Sequence, residues 1–166
     1  FANTGLVDCF LLAGRFTLLD QRSLDELLPA CEKNNVSLII GGVFNSGILI
    51  DPSPSSFFDY VELNDSWLKN AKQLGVRMPK SYENNKYWVN KAKEINDVCK
   101  KHNINLKSAA LKFPYLNKNT ATVLTGVSSK KHVLENLNSY LSEINNDLWK
   151  ELEEKNLIQK GSINKL

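Results

Sequence analysis

No run of apolar residues in the 166-residue chain approaches the roughly 20 that a membrane-spanning helix needs. The longest, Cys9 to Ala13 and Leu38 to Ile40 with the glycines that follow, are far shorter, so no membrane segment is expected. An excess of one charge is lacking too: 21 Lys plus Arg stand against 18 Asp plus Glu, and the lysines are spread along helical segments without forming one basic stripe. That pattern favours solubility and argues against a nucleic-acid partner. Cysteine is sparse. Cys9, Cys31 and Cys99 are odd in number, far apart and set among apolar neighbours, which reads as reduced, buried thiols in a cytoplasmic protein. No internal repeat, low-complexity segment or metal-ligand spacing is written into the chain. No initiator Met precedes Phe1 and no basic and apolar leader follows it, so the chain reads as a piece of something longer.

What is present has the rhythm of an α/β protein. Val7 to Ala13 is a nearly continuous apolar run of the kind that fills a strand buried on both faces. Ser23-Leu24-Asp25-Glu26 has the form of a capping box, and Leu24, Leu27, Leu28 and Cys31 make an apolar stripe behind it. A helix of about three turns is expected there, ending near Asn34-Asn35 and kinked at Pro29. Val36 to Ile40 is the second strand, so strand, helix and strand form a crossover between parallel neighbours. Ile50 to Lys80 is a long excursion, with a short helix capped by Asn64 or Asp65 running to Leu74 before Gly75.

Trp88, Ala92, Ile95, Cys99 and His102 recur at helical spacing, with Lys91, Lys93, Lys100 and Lys101 turned mostly outward, and His102 is a helix-end residue. A helix from Leu106 should stop before Pro114. Ala121 to Leu124 is the third strand. Val133, Leu137, Tyr140 and Leu141 form the buried stripe of the next helix, and Asn145 or Asn146 caps a last one through Trp149 and Leu152. Residues 1–158 make the domain and 159–166 a tail, frayed from Gly161.

Two strand exits carry the functional signal. The second strand leaves into Gly41-Gly42 and then Asn45-Ser46-Gly47; the third leaves into Thr125-Gly126-Val127-Ser128-Ser129 and then Lys130-Lys131-His132. Glycine lets backbone approach a ligand, hydroxyls and amides donate to oxygens, and a helix N-terminus favours an anion. Two such exits on parallel strands share a rim, and the last two exits of an eight-stranded (β/α) barrel often hold phosphate. The competing reading is that the glycines serve turns and the serines cap helices.

The runs Asp8-Cys9-Phe10-Leu11-Leu12-Ala13-Gly14-Arg15-Phe16-Thr17-Leu18-Leu19-Asp20-Gln21, Ile40-Gly41-Gly42-Val43-Phe44-Asn45-Ser46-Gly47-Ile48-Leu49 and Leu124-Thr125-Gly126-Val127-Ser128-Ser129, with Glu135-Asn136-Leu137, resemble the C-terminal portion of the aldo/keto reductases. The branch resembled is the sugar-oxidising one, with fucose, galactose and threo-aldose 1-dehydrogenases. The resemblance covers most of the chain and fits least well over Asp51 to Tyr82. It implies a partial (β/α)8 TIM barrel, the strands corresponding to the sixth, seventh and eighth. It also implies an NAD(P) cofactor lying extended across their ends and a small carbonyl or sugar substrate.

By position, Gly41 and Gly42 occupy the nicotinamide site, where many members place an aromatic residue followed by Ser. Phe44, Asn45 and Ser46 lie along the pyrophosphate; Gly126, Val127 and Ser128, with His132 and Asn136, bracket the adenosine end. His132 stands where many members have an Arg for the 2′-phosphate, which tilts the cofactor slightly from NADP to NAD. The family's catalytic Tyr, Asp, Lys and His belong to the first half of the barrel and match no position here. The resemblance therefore implies an oxidoreductase acting on CH–OH groups as the parent protein and an inactive isolated chain. Two other readings fit the exits: a barrel isomerase or lyase holding a sugar phosphate, and a non-catalytic truncated partner.

Overall fold

The strands Cys9–Ala13 (β1), Ser37–Gly41 (β2) and Thr120–Leu124 (β3) lie side by side in that order, all parallel, in a computed structural model that describes residues 1–52 and 85–163. The short helix Leu27–Lys33 (α1) joins β1 to β2. The helices Asn85–Lys101 (α2) and Leu106–Lys112 (α3) precede β3, and Lys130–Leu141 (α4) and Asn146–Glu154 (α5) follow it. Pairing aligns Ala13, Gly41 and Leu124, so all three strands end on one rim. The expected short helix capped near Asn64 lies outside the described residues, as does most of the Ile50–Lys80 excursion.

The core is built on one face of the sheet. Leu38 and Ile40 of β2 are fully buried against α2, α3 and α5, where Ile95, Cys99, Ala109, Leu148 and Leu152 are also fully buried. Phe113 anchors this layer, its ring 5.3 Å from Phe16 and 6.2 Å from Trp149. Helix ends are marked repeatedly by asparagine in the left-handed region: Asn35, Asn103 and Asn156 follow α1, α2 and α5. Asparagine is the residue after glycine best suited to that conformation.

Several expectations are corrected. β1 is not buried on both faces: Cys9, Leu11 and Ala13 are exposed, because alternate residues of this edge strand face away from the helices. Cys9 is therefore an exposed thiol, whereas Cys31 and Cys99 are buried, and burial pushes Cys99 up to about 12. The capping box at Ser23 does not form. The Ser23 hydroxyl donates to the Arg15 carbonyl at 2.8 Å, a 3₁₀ turn occupies Arg22–Leu24, and the helix starts at Leu27. Pro29 thus falls in the first helical turn, where its missing N–H leaves no bond broken and no kink is needed.

Lys91 is not turned outward but half-buried, its ammonium donating to the Leu19 carbonyl at 2.8 Å. The stripe on α4 is uncovered: Val133, Leu137 and Tyr140 are close to half exposed and Leu141 more so, and no α4 residue is buried. Helical periodicity states which side of α4 seeks cover; among the described residues nothing supplies it. Beyond α5 the chain is not frayed at Ser162, which is fully buried, and the Gln159 amide donates to Gln21 Oε1 at 3.2 Å.

Candidate functional site at the strand exits

The β1 and β2 exits meet backbone to backbone. Gly14 N donates to Gly41 O at 2.9 Å, and a Cβ on Gly42 would stand 3.3 Å from Gly14 N. Gly42 also has φ +67, so both conformation and space require glycine there. The chain then makes a 3₁₀ turn at Asn45–Gly47 with Asn45 at φ 44 and Ser46 at φ 58. Left-handed backbone at residues other than glycine stores on the order of 1 kcal/mol or more each, and such outliers concentrate at functional sites. Asn45 is buried, while Ser46 is exposed on the rim.

The β3 exit has a different character. Gly126 has no positive φ, and a Cβ built on it would meet nothing within 4 Å. Neither a turn nor packing calls for glycine at that position. Ser129 caps α4 by accepting the His132 amide at 3.2 Å, which is the structural role foreseen for the serines. Ser128 Oγ lies 3.1 Å from His132 Nδ1, and Asn136 Nδ2 donates to Thr125 Oγ1 at 3.1 Å. Val127, Ser128 and His132 are exposed, so this exit presents glycine backbone, a hydroxyl and an imidazole to the rim.

A residue that sequence reasoning missed joins the two exits. Lys107 of α3 places its ammonium 3.3 Å from a Glu135 carboxylate oxygen on α4 and 6.0 Å from the centre of the Phe44 ring. The Lys107 hydrogen bond, with the charges of Lys107, Lys131 and His132 around it, holds the Glu135 carboxyl below its ordinary range against partial desolvation. The structure thus gathers Gly41, Gly42, Phe44, Asn45 and Ser46 at one exit and Gly126, Val127, Ser128, His132 and Asn136 at the next.

Charge placement on this rim breaks the usual helix rule. Lys107 stands in the first turn of α3 and Lys130 and Lys131 in the first turn of α4, with no acidic residue in either turn. Cations are disfavoured at helix N-termini; Glu135, 3.3 Å from Lys107 and 3.7 Å from Lys131, offsets one of the three charges, and the remaining excess leaves the rim electropositive and suited to an anion. The neighbouring Gly14–Gln21 loop is structural. Asp20, 1% exposed, accepts from Arg22 Nε at 3.0 Å and Arg22 Nη2 at 2.6 Å, with Arg15 at 3.5 Å, and Gln21 Nε2 donates to Thr17 O at 2.6 Å. Among the described residues no group of three His, Cys, Asp or Glu side chains stands together as a metal site requires, and no helix is long and apolar enough to cross a membrane.

Comparison with known proteins fixes the family. A model of the aldo/keto reductase family matches residues 2–157. The chain belongs to the aldo/keto reductase family. Pyridoxal 4-dehydrogenase of Microbacterium luteolum is 31% identical to it over 153 residues, covering 92% of this chain and 39% of that protein. D-threo-aldose 1-dehydrogenase of a Pseudomonas species is 30% identical over 154 residues, covering 92% of this chain and 40% of that protein. This aldo/keto reductase chain therefore spans about two-fifths of the length of the curated relatives it matches. The second relative lies in the sugar dehydrogenase branch that the sequence motifs resemble.

Proposed function

We propose that the chain is the cofactor-binding portion, about strands six to eight, of a (β/α)8 NAD(P)-dependent oxidoreductase that oxidises an aldose at C1 or reduces a carbonyl. The observation that carries this reading is Gly126: exposed, free of any conformational demand and with open space before it, it suits the close approach of a ligand to backbone. The electropositive rim gives that ligand its charge, and the family gives its class.

The residues fit a dinucleotide. Gly41 and Gly42 leave the β2 exit without a side chain, so no aromatic ring stacks on a nicotinamide there as in many members, while Phe44 and the exposed Ser46 border the space for the pyrophosphate above the buried Asn45. Gly126, Val127 and Ser128 give the adenosine end an unobstructed edge, with His132 and Asn136 held in place by Ser128 and Thr125. When bound, the cofactor supplies the hydride acceptor or donor. The chain's own residues bind and orient. An imidazole lacks the bidentate fork with which a guanidinium holds a 2′-phosphate, which favours NAD over NADP.

The test is a titration of the purified chain with NADH, NADPH and a sugar phosphate, read by nucleotide and tryptophan fluorescence. Saturable binding of NADH, tighter than NADPH, with none of the sugar phosphate is expected. Binding of the sugar phosphate alone would turn the assignment to an isomerase or lyase, and no binding of any would leave a non-catalytic partner.

A further inference from the structure

Lys107 is in the wrong place for a helix considered alone. It lies in the first turn of α3, where a cation opposes the helix dipole, and its side chain is only 14% exposed, so its charge is partly desolvated. Its backbone amide is occupied in the cap, donating to Asn105 Oδ1 at 2.8 Å. What the side chain reaches lies on two other segments: Glu135 of α4 and the ring of Phe44 beyond β2. Local rules broken together in this way point to function more often than to stability. The pair is only half covered, its Glu135 side chain being 44% exposed, and ion pairs this open to solvent add little to stability.

We propose that Lys107 is a positioning residue that locks the Phe44 wall of the β2 exit to Glu135 at the β3 exit, so that both exits grip one dinucleotide as a single cradle. This rests on the cofactor reading above. Phe44 is half-buried and lies within the strained Gly42–Gly47 turn, while Glu135 stands beside Asn136, whose amide is already tied to Thr125. The ammonium holds Glu135 through its charge at 3.3 Å and faces the Phe44 ring with 6.0 Å to its centre.

The experiment is a binding cycle on the full chain with NADH as the probe. Lys107→Met is expected to weaken NADH about tenfold while moving the thermal midpoint little, and Lys107→Arg to retain most of the affinity. Glu135→Gln is expected to weaken binding as well, with the double variant no worse than the poorer single one. Unchanged affinity in Lys107→Met, or losses that simply add, would overturn the proposal. If Lys107→Met fails to fold, Phe44→Leu combined with Glu135→Gln closes the same cycle. If the unmodified chain binds no NADH, the cofactor reading falls, and the lock is judged without ligand by NMR. Lys107→Met must then raise the Glu135 titration midpoint and shift the Phe44 ring signals, and if both stay in place the lock does not exist.

Discussion

His102 Nε2 lies 2.7 Å from a carboxylate oxygen of Glu151, tying the end of α2 to the middle of α5. Lys101 donates to the same carboxylate at 2.8 Å, and Lys155 stands 3.6 Å away. The hydrogen bond from Lys101, then that from His102, carries the Glu151 carboxyl from an ordinary 4.5 down to about 2, against partial desolvation. A carboxyl depressed by folding contributes stability that is complete above its unfolded value and lost as the acid form takes over. Stability of the chain should therefore fall progressively as pH drops from about 4.5 toward about 2. Denaturant unfolding at a series of pH values checks this: Glu151→Gln should flatten the acid limb, and an acid limb identical to that of the unmodified chain would refute the assignment.

Two glycines on the rim should respond differently to the same change. Gly42→Ala places a Cβ against Gly14 N in left-handed backbone and is expected to destabilise by about 1–2 kcal/mol. Gly126→Ala meets nothing and should leave stability within about 0.5 kcal/mol. Under the cofactor reading Gly126→Val weakens NADH binding without unfolding the chain. Urea unfolding and the NADH titration, run on the same samples, separate the two effects.

Much of this was legible in the sequence, and the failures share a cause. The helical spacing of Trp88, Ala92, Ile95 and Cys99 and the cap at Asn145 predicted α2 and α5 because both elements find their partners within the chain. The stripe on α4 and the continuous apolar run of β1 were as clear, yet among the described residues each leaves an open face, since an apolar pattern names what seeks cover and not what supplies it. The two exits were found because glycine and serine clusters after strands are local signals. Lys107 was not, because its significance lies in contacts with Phe44 and Glu135 that no local pattern encodes. The motif around Arg15 and Asp20 was recognised by resemblance alone; its physical content is a buried carboxylate held chiefly by Arg22.

Thr120 begins β3 with its hydroxyl buried, and no hydrogen-bond partner for Oγ1 is found among the described residues. A buried polar atom without a partner carries its full desolvation penalty. Thr120→Val, close in shape, should stabilise by about 1 kcal/mol, read as a shift of the urea midpoint at constant slope. A loss of that size would show that the hydroxyl is satisfied in solution.

The 166-residue chain should not oxidise an aldose by itself, because the family's catalytic set matches none of its residues. Incubation of the purified chain with NAD or NADP and a panel of aldoses, followed at the nucleotide's reduced absorbance, is expected to show no turnover above the blank. Turnover that scales with chain concentration would place a proton donor within the chain, with its tyrosines the first residues to substitute.

Amide hydrogen exchange with and without saturating NADH tests most directly whether the two exits hold one dinucleotide. If they do, protection rises in peptides spanning Gly41–Leu49 and Leu124–Asn136 and stays unchanged in Asn146–Glu154. Protection confined to other segments, or unchanged exchange at both exits with NADH demonstrably bound, would contradict a cofactor cradle on this rim.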